Sequence, residues 1–332
     1  MAPRIGLVLG AGGVVGQAYH AGVLAALEHD LGWDPRTADV IVGSSAGSVT
    51  GSLLRLGVSA SDLAAWAVEA PLSVEGAPMM EQLGPRGADP DFPKPSPIDL
   101  LRPWRLPSVA LLRRVAARPW AFRPSTSAMT MVPDGRIDIV EKAEVLHAIS
   151  GQDWPDGLWI CAARRRDGGR VVFGRPGSPY ALLGRAVAAS CAIPGYFAPV
   201  RIGNVSYFDG GVHSPTNADV LRDERLDLVV VVSPMSADRG VARTADAPMR
   251  FLAHRKLQSE VGRLRARGTP VVTFEPGPRA LPVMGLNAMA TDRADRVVQA
   301  AFLEAGRRAA TGTTAERLRP LVSRPGRLRA TP

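Results

Sequence analysis

The sequence predicts an α/β protein, a three-layer α/β/α sandwich around a central, mostly parallel sheet. Residues 5–10 and 39–42 are short apolar runs typical of buried strands, and each passes through a glycine-containing turn into a segment with a helical pattern. Two successive strand–turn–helix units imply parallel strands joined by right-handed crossovers. Strands and helices continue to alternate along the rest of the chain, which favours a layered domain.

The chain of 332 residues is long enough to bury a sizeable core. We assign residues 1–312 to one domain, with an insertion at about 71–135. Within that insertion, residues 84–107 include seven prolines, which exclude regular helix and central strand. The insertion is either a lid over a site or a surface excursion. Residues 313–332 are rich in Arg and Pro, and we expect a basic, disordered tail there.

Charge and composition limit the kinds of partner, metal site and membrane association that this protein can have. The net charge of +9 favours anionic partners, membranes or nucleic acid, although an arginine-rich genome produces the same value. Two cysteines, Cys161 and Cys191, argue against a disulfide framework, and the five histidines lack ligand spacing, so we expect no metal. Residues 5–27 match a membrane span in length, but their glycines and central polar residues favour strand, loop and helix. We expect a cytoplasmic protein, at most peripheral to the membrane.

A serine stands at the second strand–helix junction. Gly43-Ser44-Ser45-Ala46-Gly47 follows the strand and opens a helix, which is the context of a nucleophile elbow. The glycines Gly43 and Gly47 permit a tight turn that exposes the Ser45 hydroxyl, and the helix N-terminus faces any developing negative charge. The alternative is a glycine-lined helix cap in which a serine only caps.

The first strand ends in the stretch LGAGGVVG, which has two interpretations. As an oxyanion loop, its backbone N–H groups of Gly12, Gly13 and Val14 converge on a carbonyl oxygen. As a relaxed dinucleotide-binding loop, it requires an acidic residue at the end of the next strand. That strand instead ends in the serine turn, and Asp39 lies at its opposite end. The sequence therefore favours the oxyanion loop.

Asp209 is the candidate base for the serine. It follows a predicted strand, and Gly210 and Gly211 leave its carboxylate uncrowded, although Asp-Gly-Gly is also typical of an ordinary hairpin turn. His213 is the alternative base, since the order Ser, Asp, His matches a hydrolase triad. A triad Asp must orient its histidine from behind, however, and such a pair usually comes from separate loops.

These motifs together resemble the patatin-like phospholipase family, whose members carry a glycine-rich oxyanion loop, a GxSxG elbow and a DG[GA] motif. Residues 189–197, ASCAIPGYF, are similar to the family's ASxAxPxxF block, and the resemblance spans residues 4–232. It implies a Ser45–Asp209 dyad without histidine, oxyanion donors at Gly12, Gly13 and Val14, a lipid or ester substrate, and no required cofactor or metal.

Two residues depart from the family's usual GGGx[RK]G loop. Val15 stands where Arg or Lys is expected, and Ala11 replaces the first glycine of the triplet. The missing cation leaves a preference for phosphorylated head groups open. The resemblance implies a serine acyl hydrolase acting through an acyl-serine intermediate. A catalytically idle lipid-binding protein, an acyltransferase and an NADP-binding oxidoreductase are the alternatives, and no nucleic-acid partner is expected.

Overall fold

A computed structural model describes residues 2–83, 102–117, 124–151, 153–237 and 245–322. Within these residues the chain forms an eight-stranded mixed sheet in the order β5–β6–β3–β2–β1–β7–β8, with β4 paired to β3 outside this path. The strands are β1 (Ile5–Leu9), β2 (Val40–Ser44), β3 (Leu158–Arg164), β4 (Arg170–Phe173), β5 (Val200–Ile202), β6 (Val205–Asp209), β7 (Leu228–Val232) and β8 (Val271–Phe274).

Five neighbouring strands, β3, β2, β1, β7 and β8, run parallel. The antiparallel strands belong to two hairpins, β3–β4 and β5–β6, and β6 also pairs with β3. Sequences such as the LVVVV of β7 are apolar throughout because helices cover both faces of the parallel part. The predicted three-layer fold with a mostly parallel sheet is confirmed.

Helices flank the sheet on both sides. They are α1 (Gly13–Leu31), α2 (Ala46–Arg55), α3 (Ala60–Ala67), α4 (Ala77–Gln82), α5 (Val109–Ala117), α6 (Pro124–Met131), α7 (Val140–Ser150), α8 (Leu183–Cys191), α9 (Ala247–Arg265), α10 (Ala280–Met284), α11 (Ala294–Ala309) and α12 (Gly312–Val322). Short 3₁₀ turns lie at Pro35–Thr37, Gly210–Val212 and Ala218–Leu221.

Two apolar cores lie on opposite faces of the sheet, because successive strand residues point to opposite sides. Leu7 and Val230 lie in the larger core, together with residues of α1, α2, α8 and α11. Val8 and Val229 lie in the smaller core, which α9 covers. The carboxyl ends of the parallel strands β1 and β2 carry the loops that follow them at one edge of the sheet, and the antiparallel pairing of β6 with β3 brings the end of β6 next to them.

The prediction of a disordered tail at 313–332 is wrong where the structure describes it. Residues 312–322 form α12, and Leu318 and Leu321 are buried in the larger core. Three-residue spacing places these two side chains on one helical face, which the surrounding arginines conceal in the sequence. Residues 323–332 lie outside the described part of the chain.

The predicted insertion at 71–135 is described only in part. It contains α4, α5 and α6, whereas residues 84–101 and 118–123 lie outside the described residues, so a lid stays a prediction. Among the described helices, none is long and apolar enough to cross a bilayer.

Candidate active site

Ser45 occupies a strained turn between β2 and α2. Its φ of 51° and ψ of −121° lie outside the regions that most non-glycine residues adopt. The turn fits because Gly47 packs directly on β1: a Cβ atom there would lie 1.9 Å from the carbonyl oxygen of Leu9. Ser45 is buried. Such strain is typical of a functional turn, as the sequence predicts for a nucleophile elbow.

The side chain of a second serine, Ser190, holds the backbone of this turn by hydrogen bonds. The amide of Ser45 donates to Oγ of Ser190, 2.9 Å away, and that hydroxyl donates to the carbonyl oxygen of Cys161 at 2.7 Å. Ser190 lies on α8 and is fully buried. It is part of the ASxAxPxxF block, but the sequence gives no indication of this contact. Ser190 holds the strained backbone of Ser45 against the centre of the sheet.

Strand β3 brings Asp209 to the serine turn. Cys161 of β3 is in register with Ser44, and the next residue, Ala162, is in register with Asp209. The ends of β2 and β6 therefore meet, although they are far apart in sequence. Oδ1 of Asp209 accepts a hydrogen bond from the amide of Gly211 at 2.6 Å, and the Ser45 hydroxyl is near enough to the carboxyl to lower its pKa. The structure thus brings the two predicted residues together.

Burial decides the acidity of Asp209. The carboxyl has lost its water contacts, which raises its pKa to about 6, and the hydrogen bonds from Ser45 and Gly211 only partly oppose this effect. A carboxylate that titrates near pH 6 is suited to proton transfer at neutral pH.

The glycine loop offers unused amides beside this pair. The flanking amides are all bonded: Gly10 donates to Val232, Ala11 to Pro215, Val15 to Ala288 and Gly16 to Gly12, all to carbonyl oxygens. Within the described residues, the amides of Gly12, Gly13 and Val14 have no backbone or side-chain acceptor. They lie at the N-terminus of α1, where the first helical amides lack partners. These three are the predicted oxyanion donors.

Gly13 and Val15 show why the loop departs from the expected pattern. Gly13 has a φ of +62°, and a Cβ there would lie 2.5 Å from the Ala288 carbonyl oxygen, so only glycine fits. The Val15 side chain is buried in the larger core, and its amide bonds to Ala288. In this chain, the position where the family usually has Arg or Lys is part of the core.

Asn217 is a residue that the sequence analysis misses. Its buried Nδ2 group lies within hydrogen-bonding distance of three oxygens: Oγ of Ser44 at 2.9 Å and the carbonyls of Gly210 at 3.1 Å and Ser214 at 2.8 Å. It thus links the residue before Ser45 to the residue after Asp209. Its φ of 54° lies in the left-handed region, which Asn tolerates better than most residues. An asparagine seven residues after an Asp-Gly pair does not by itself indicate a structural or catalytic role.

Charged residues complete the network beneath Asn217. Arg170 donates to the Asn217 amide oxygen at 3.2 Å and to Asp219 at 2.6 Å, and Arg263 of α9 also binds Asp219, at 3.1 Å. Although burial raises the pKa of Asp219, the hydrogen bond and charge of Arg170 outweigh it and hold the pKa at about 2. The buried Glu260 accepts from Thr216 and from the amide of Ala218. The network fixes the loop after Asp209.

Two further buried groups lie near the serine turn. Burial raises the pKa of the Cys191 thiol to about 12, with a further contribution from the negative charge of Asp209, so the thiol stays protonated at neutral pH. Cys191 is close to Ser45 but has no thiolate to compete with it. His20 of α1 lies 3.2 Å from the Thr50 hydroxyl of α2, and burial lowers its pKa to about 3. This neutral histidine joins the glycine-loop helix to the serine helix.

Comparison with known proteins assigns the family. The family model described as patatin-like phospholipase matches residues 7–222, about two thirds of the chain, including the glycine loop, Ser45 and Asp209. The chain belongs to the patatin-like phospholipase family. The resemblance drawn from the sequence motifs is therefore confirmed. A search of curated proteins found no match.

Several solved structures are similar to this patatin-like chain. VipD from Legionella pneumophila is 12% identical, with 92% of this chain and 66% of that one covered and a TM-score of 0.40. Human GIVD cytosolic phospholipase A2 is 11% identical, with 97% and 63% covered and a TM-score of 0.44. A chain of the ExoU-SpcU complex from Pseudomonas aeruginosa is 18% identical, with 96% of this chain and 52% of that one covered and a TM-score of 0.36. The chain thus spans about half to two thirds of the length of these proteins.

Proposed function

We propose that this protein is a serine acyl hydrolase of the phospholipase, lysophospholipase or esterase type, with Ser45 as nucleophile and Asp209 as its base. One observation carries the proposal: a strained serine lies next to a buried carboxyl whose pKa its hydroxyl lowers, and three nearby amides have no acceptor in the part of the chain that the structure describes. A structural serine cap does not require this combination. The family supports a lipid acyl ester as the substrate.

Acylation begins with proton transfer. Asp209 accepts the hydroxyl proton of Ser45 while the serine oxygen attacks the ester carbonyl. The carbonyl oxygen gains negative charge, which the amides of Gly12, Gly13 and Val14 stabilise. One such donor contributes about 10²–10³ in rate, or about 3–4 kcal/mol. The tetrahedral intermediate then collapses, the alcohol leaves with the proton from Asp209, and the acyl group stays on Ser45.

Deacylation reverses the roles. Asp209, ionised again, accepts a proton from water, and the resulting hydroxide attacks the acyl-serine carbonyl. The same amides stabilise the second oxyanion. Ser45 leaves as the alkoxide and regains its proton from Asp209, which releases the fatty acid. The raised pKa of Asp209 suits both halves, because the group must accept and return a proton near neutral pH.

Fatty acid release is the direct test. The purified protein and its Ser45→Ala variant are incubated with phospholipid, lysophospholipid and short-chain esters, and Ser61→Ala, an exposed serine of α3, is the matched control. We expect hydrolysis by the wild type and by Ser61→Ala, and loss of at least 1,000-fold in Ser45→Ala. Equal activity in Ser45→Ala would exclude this nucleophile. Lipid binding without turnover would indicate an idle binding protein, and transfer to an added alcohol in preference to water would indicate an acyltransferase.

A further inference from the structure

An exposed apolar face lies in the described part of the insertion. Four large apolar side chains within nine residues are largely exposed: Trp104 at 61%, Leu106 at 89%, Val109 at 63% and Leu112 at 57%. We call these four residues the 104–112 face. Scattered apolar side chains are common on protein surfaces, but such a dense group, with tryptophan, is typical of an interaction site.

The segment that carries the 104–112 face is attached to the protein through its inner surface. On α5, Leu111 is buried while Leu112 is exposed, so the helix has an inner and an outer surface. The Ser108 hydroxyl donates to the carbonyl of Arg166, and Arg114 donates to the carbonyl of Asp167 at 2.9 Å. These bonds attach α5 to the turn between β3 and β4. The apolar side chains are therefore presented outward by a held segment.

The same turn places the face at the catalytic edge of the sheet. Strand β3 runs parallel to β2, and Cys161 is in register with Ser44, so β3 ends at Arg164 on the edge where Ser45 lies. Helix α6 gives a second link, because the Thr126 hydroxyl donates to the carbonyl of Val212 in the turn after Asp209. The 104–112 face is thus attached at the same edge of the sheet as Ser45 and Asp209.

The positive charge around the 104–112 face favours an anionic partner. Residues 102–117, together with the adjoining stretches 130–134 and 164–169, contain seven arginines and two aspartates. Asp134 pairs with Arg105 and Arg165, and Asp167 pairs with Arg164, which leaves the surface strongly positive. Arg113 and Arg166 are exposed. Apolar and tryptophan side chains beside arginines match the interface of an anionic bilayer.

The basic helix α9 is a second charged surface, with fewer exposed apolar side chains. Arg263 pairs with Asp219 and Lys256 with Glu260, whereas Arg255 is exposed. Two large apolar side chains of this 19-residue helix are exposed, Met249 at 67% and Leu252 at 58%. The helix therefore provides a basic control surface without a dense apolar group.

We propose that the 104–112 face is the surface by which this protein docks on anionic lipid bilayers, so that Ser45 faces the membrane. The inference rests on the proposed function for the identity of the substrate, but docking is measured without turnover. Leucine and valine enter the headgroup boundary, Trp104 lies at the interface, and the arginines attract anionic head groups.

Vesicle sedimentation tests the docking. Wild type, Leu106→Glu, Leu112→Glu and the control Leu252→Glu are mixed with phosphatidylcholine vesicles with or without 30% phosphatidylglycerol. We expect wild type and Leu252→Glu to bind the anionic vesicles and to bind less in high salt, because salt screens the arginines. We expect at least tenfold weaker binding for Leu106→Glu and Leu112→Glu.

Several results would overturn the docking surface: wild-type binding in both face variants, equal loss of binding in Leu252→Glu, or a change in oligomeric mass in place of lipid binding, which would identify a second copy of the chain as the partner.

Reaction with a soluble fluorophosphonate, measured without lipid, separates the docking proposal from the proposed hydrolase function. If docking is lost only in the face variants but no protein reacts at Ser45, the docking surface stands and the proposed hydrolase fails. If the face variants lose this reaction while Leu252→Glu keeps it, the face belongs to the catalytic site and the docking proposal fails.

Discussion

Two regions at the same edge of the sheet are built in opposite ways. Beneath the dyad, the polar groups of Ser44, Ser190 and Asn217 are fully buried and bonded to one another or to the backbone. Beside it, the 104–112 face exposes apolar groups and is attached by a few contacts on its inner side. The first arrangement fixes reacting atoms, and the second leaves a surface for a partner. Substitutions in the two regions should therefore have different consequences.

The largest effect is expected in the dyad itself. Asp209→Asn keeps the shape and an acceptor for the Gly211 amide but removes the base, so we expect kcat for a soluble ester to fall about 10³–10⁴-fold with little change in KM. Steady-state kinetics of wild type, Asp209→Asn and His213→Ala on the same ester measure this loss and compare the two candidate bases. An equally large loss in His213→Ala would replace the dyad by a triad that includes the histidine.

The next effect is expected at Asn217, which no sequence pattern indicates. Asn217→Ala leaves buried oxygens of Ser44, Gly210 and Ser214 without their donor, and we expect a loss of about 1–3 kcal/mol in the free energy of unfolding and a 10- to 100-fold lower kcat. Asn217→Gly is the matched variant, because glycine accepts the left-handed backbone and removes only the amide. Recovery of wild-type kcat in Asn217→Gly would show that backbone strain, rather than the hydrogen bonds, accounts for the loss.

The pKa of Asp209 predicts opposite trends in activity and stability. The base must be ionised, so kcat/KM should be half-maximal near pH 6 and fall about tenfold per unit below it. Folding, by contrast, favours the protonated form, because burial raises the pKa from 3.8 to about 6, and stability is lost as pH rises through this window. The loss is at most about 3 kcal/mol above pH 6.

Denaturant unfolding of Asp209→Asn checks the second trend. The variant should be about 1–3 kcal/mol more stable than wild type at pH 8, and the difference should disappear near pH 4, where the wild-type carboxyl is protonated. A variant that is less stable than wild type at pH 8 would contradict the view that burial of the charge dominates at this site.

The smallest effect is expected on the exposed face. Leu106→Glu should change the free energy of unfolding by less than about 0.5 kcal/mol, because the side chain is 89% exposed and breaks no described contact. Urea unfolding measures this directly. A loss of several kcal/mol would mean that the leucine packs against the protein, and the contrast between the two regions would not hold.

The sequence predicts the parts of the site that depend on local chain geometry. The turn at Ser45 and the glycine loop each follow a predicted parallel strand, and the structure places the ends of β2 and β1 at one edge of the sheet. The meeting of Asp209 with this edge depends instead on the antiparallel pairing of β6 with β3. The turn residues Asp167-Gly168 and Gly203-Asn204, each between two apolar runs, also indicate the two hairpins that make the sheet mixed.

The supporting contacts could not be predicted in the same way. Ser190 reaches Ser45 from 145 residues away, and Asn217 reaches Ser44 from 173 residues away, so both contacts depend on the strand order of the finished sheet. The burial of Val15 and the helix α12 could not be predicted for a related reason. The Val15 amide bonds to Ala288, which is distant in sequence, and the arginines and prolines of residues 313–332 suggest a tail where α12 packs on the core.

The central claim is that an acyl group passes through Ser45, and trapping that intermediate tests it most directly. The protein is quenched in acid during turnover of a slowly hydrolysed ester, and its intact mass and peptides are measured by mass spectrometry. We predict one acyl group on the peptide that contains Ser45, more of it at a pH where deacylation is slow, and none in Ser45→Ala. An acyl group on Cys191 or His213, or turnover with no acylated protein, would contradict the account.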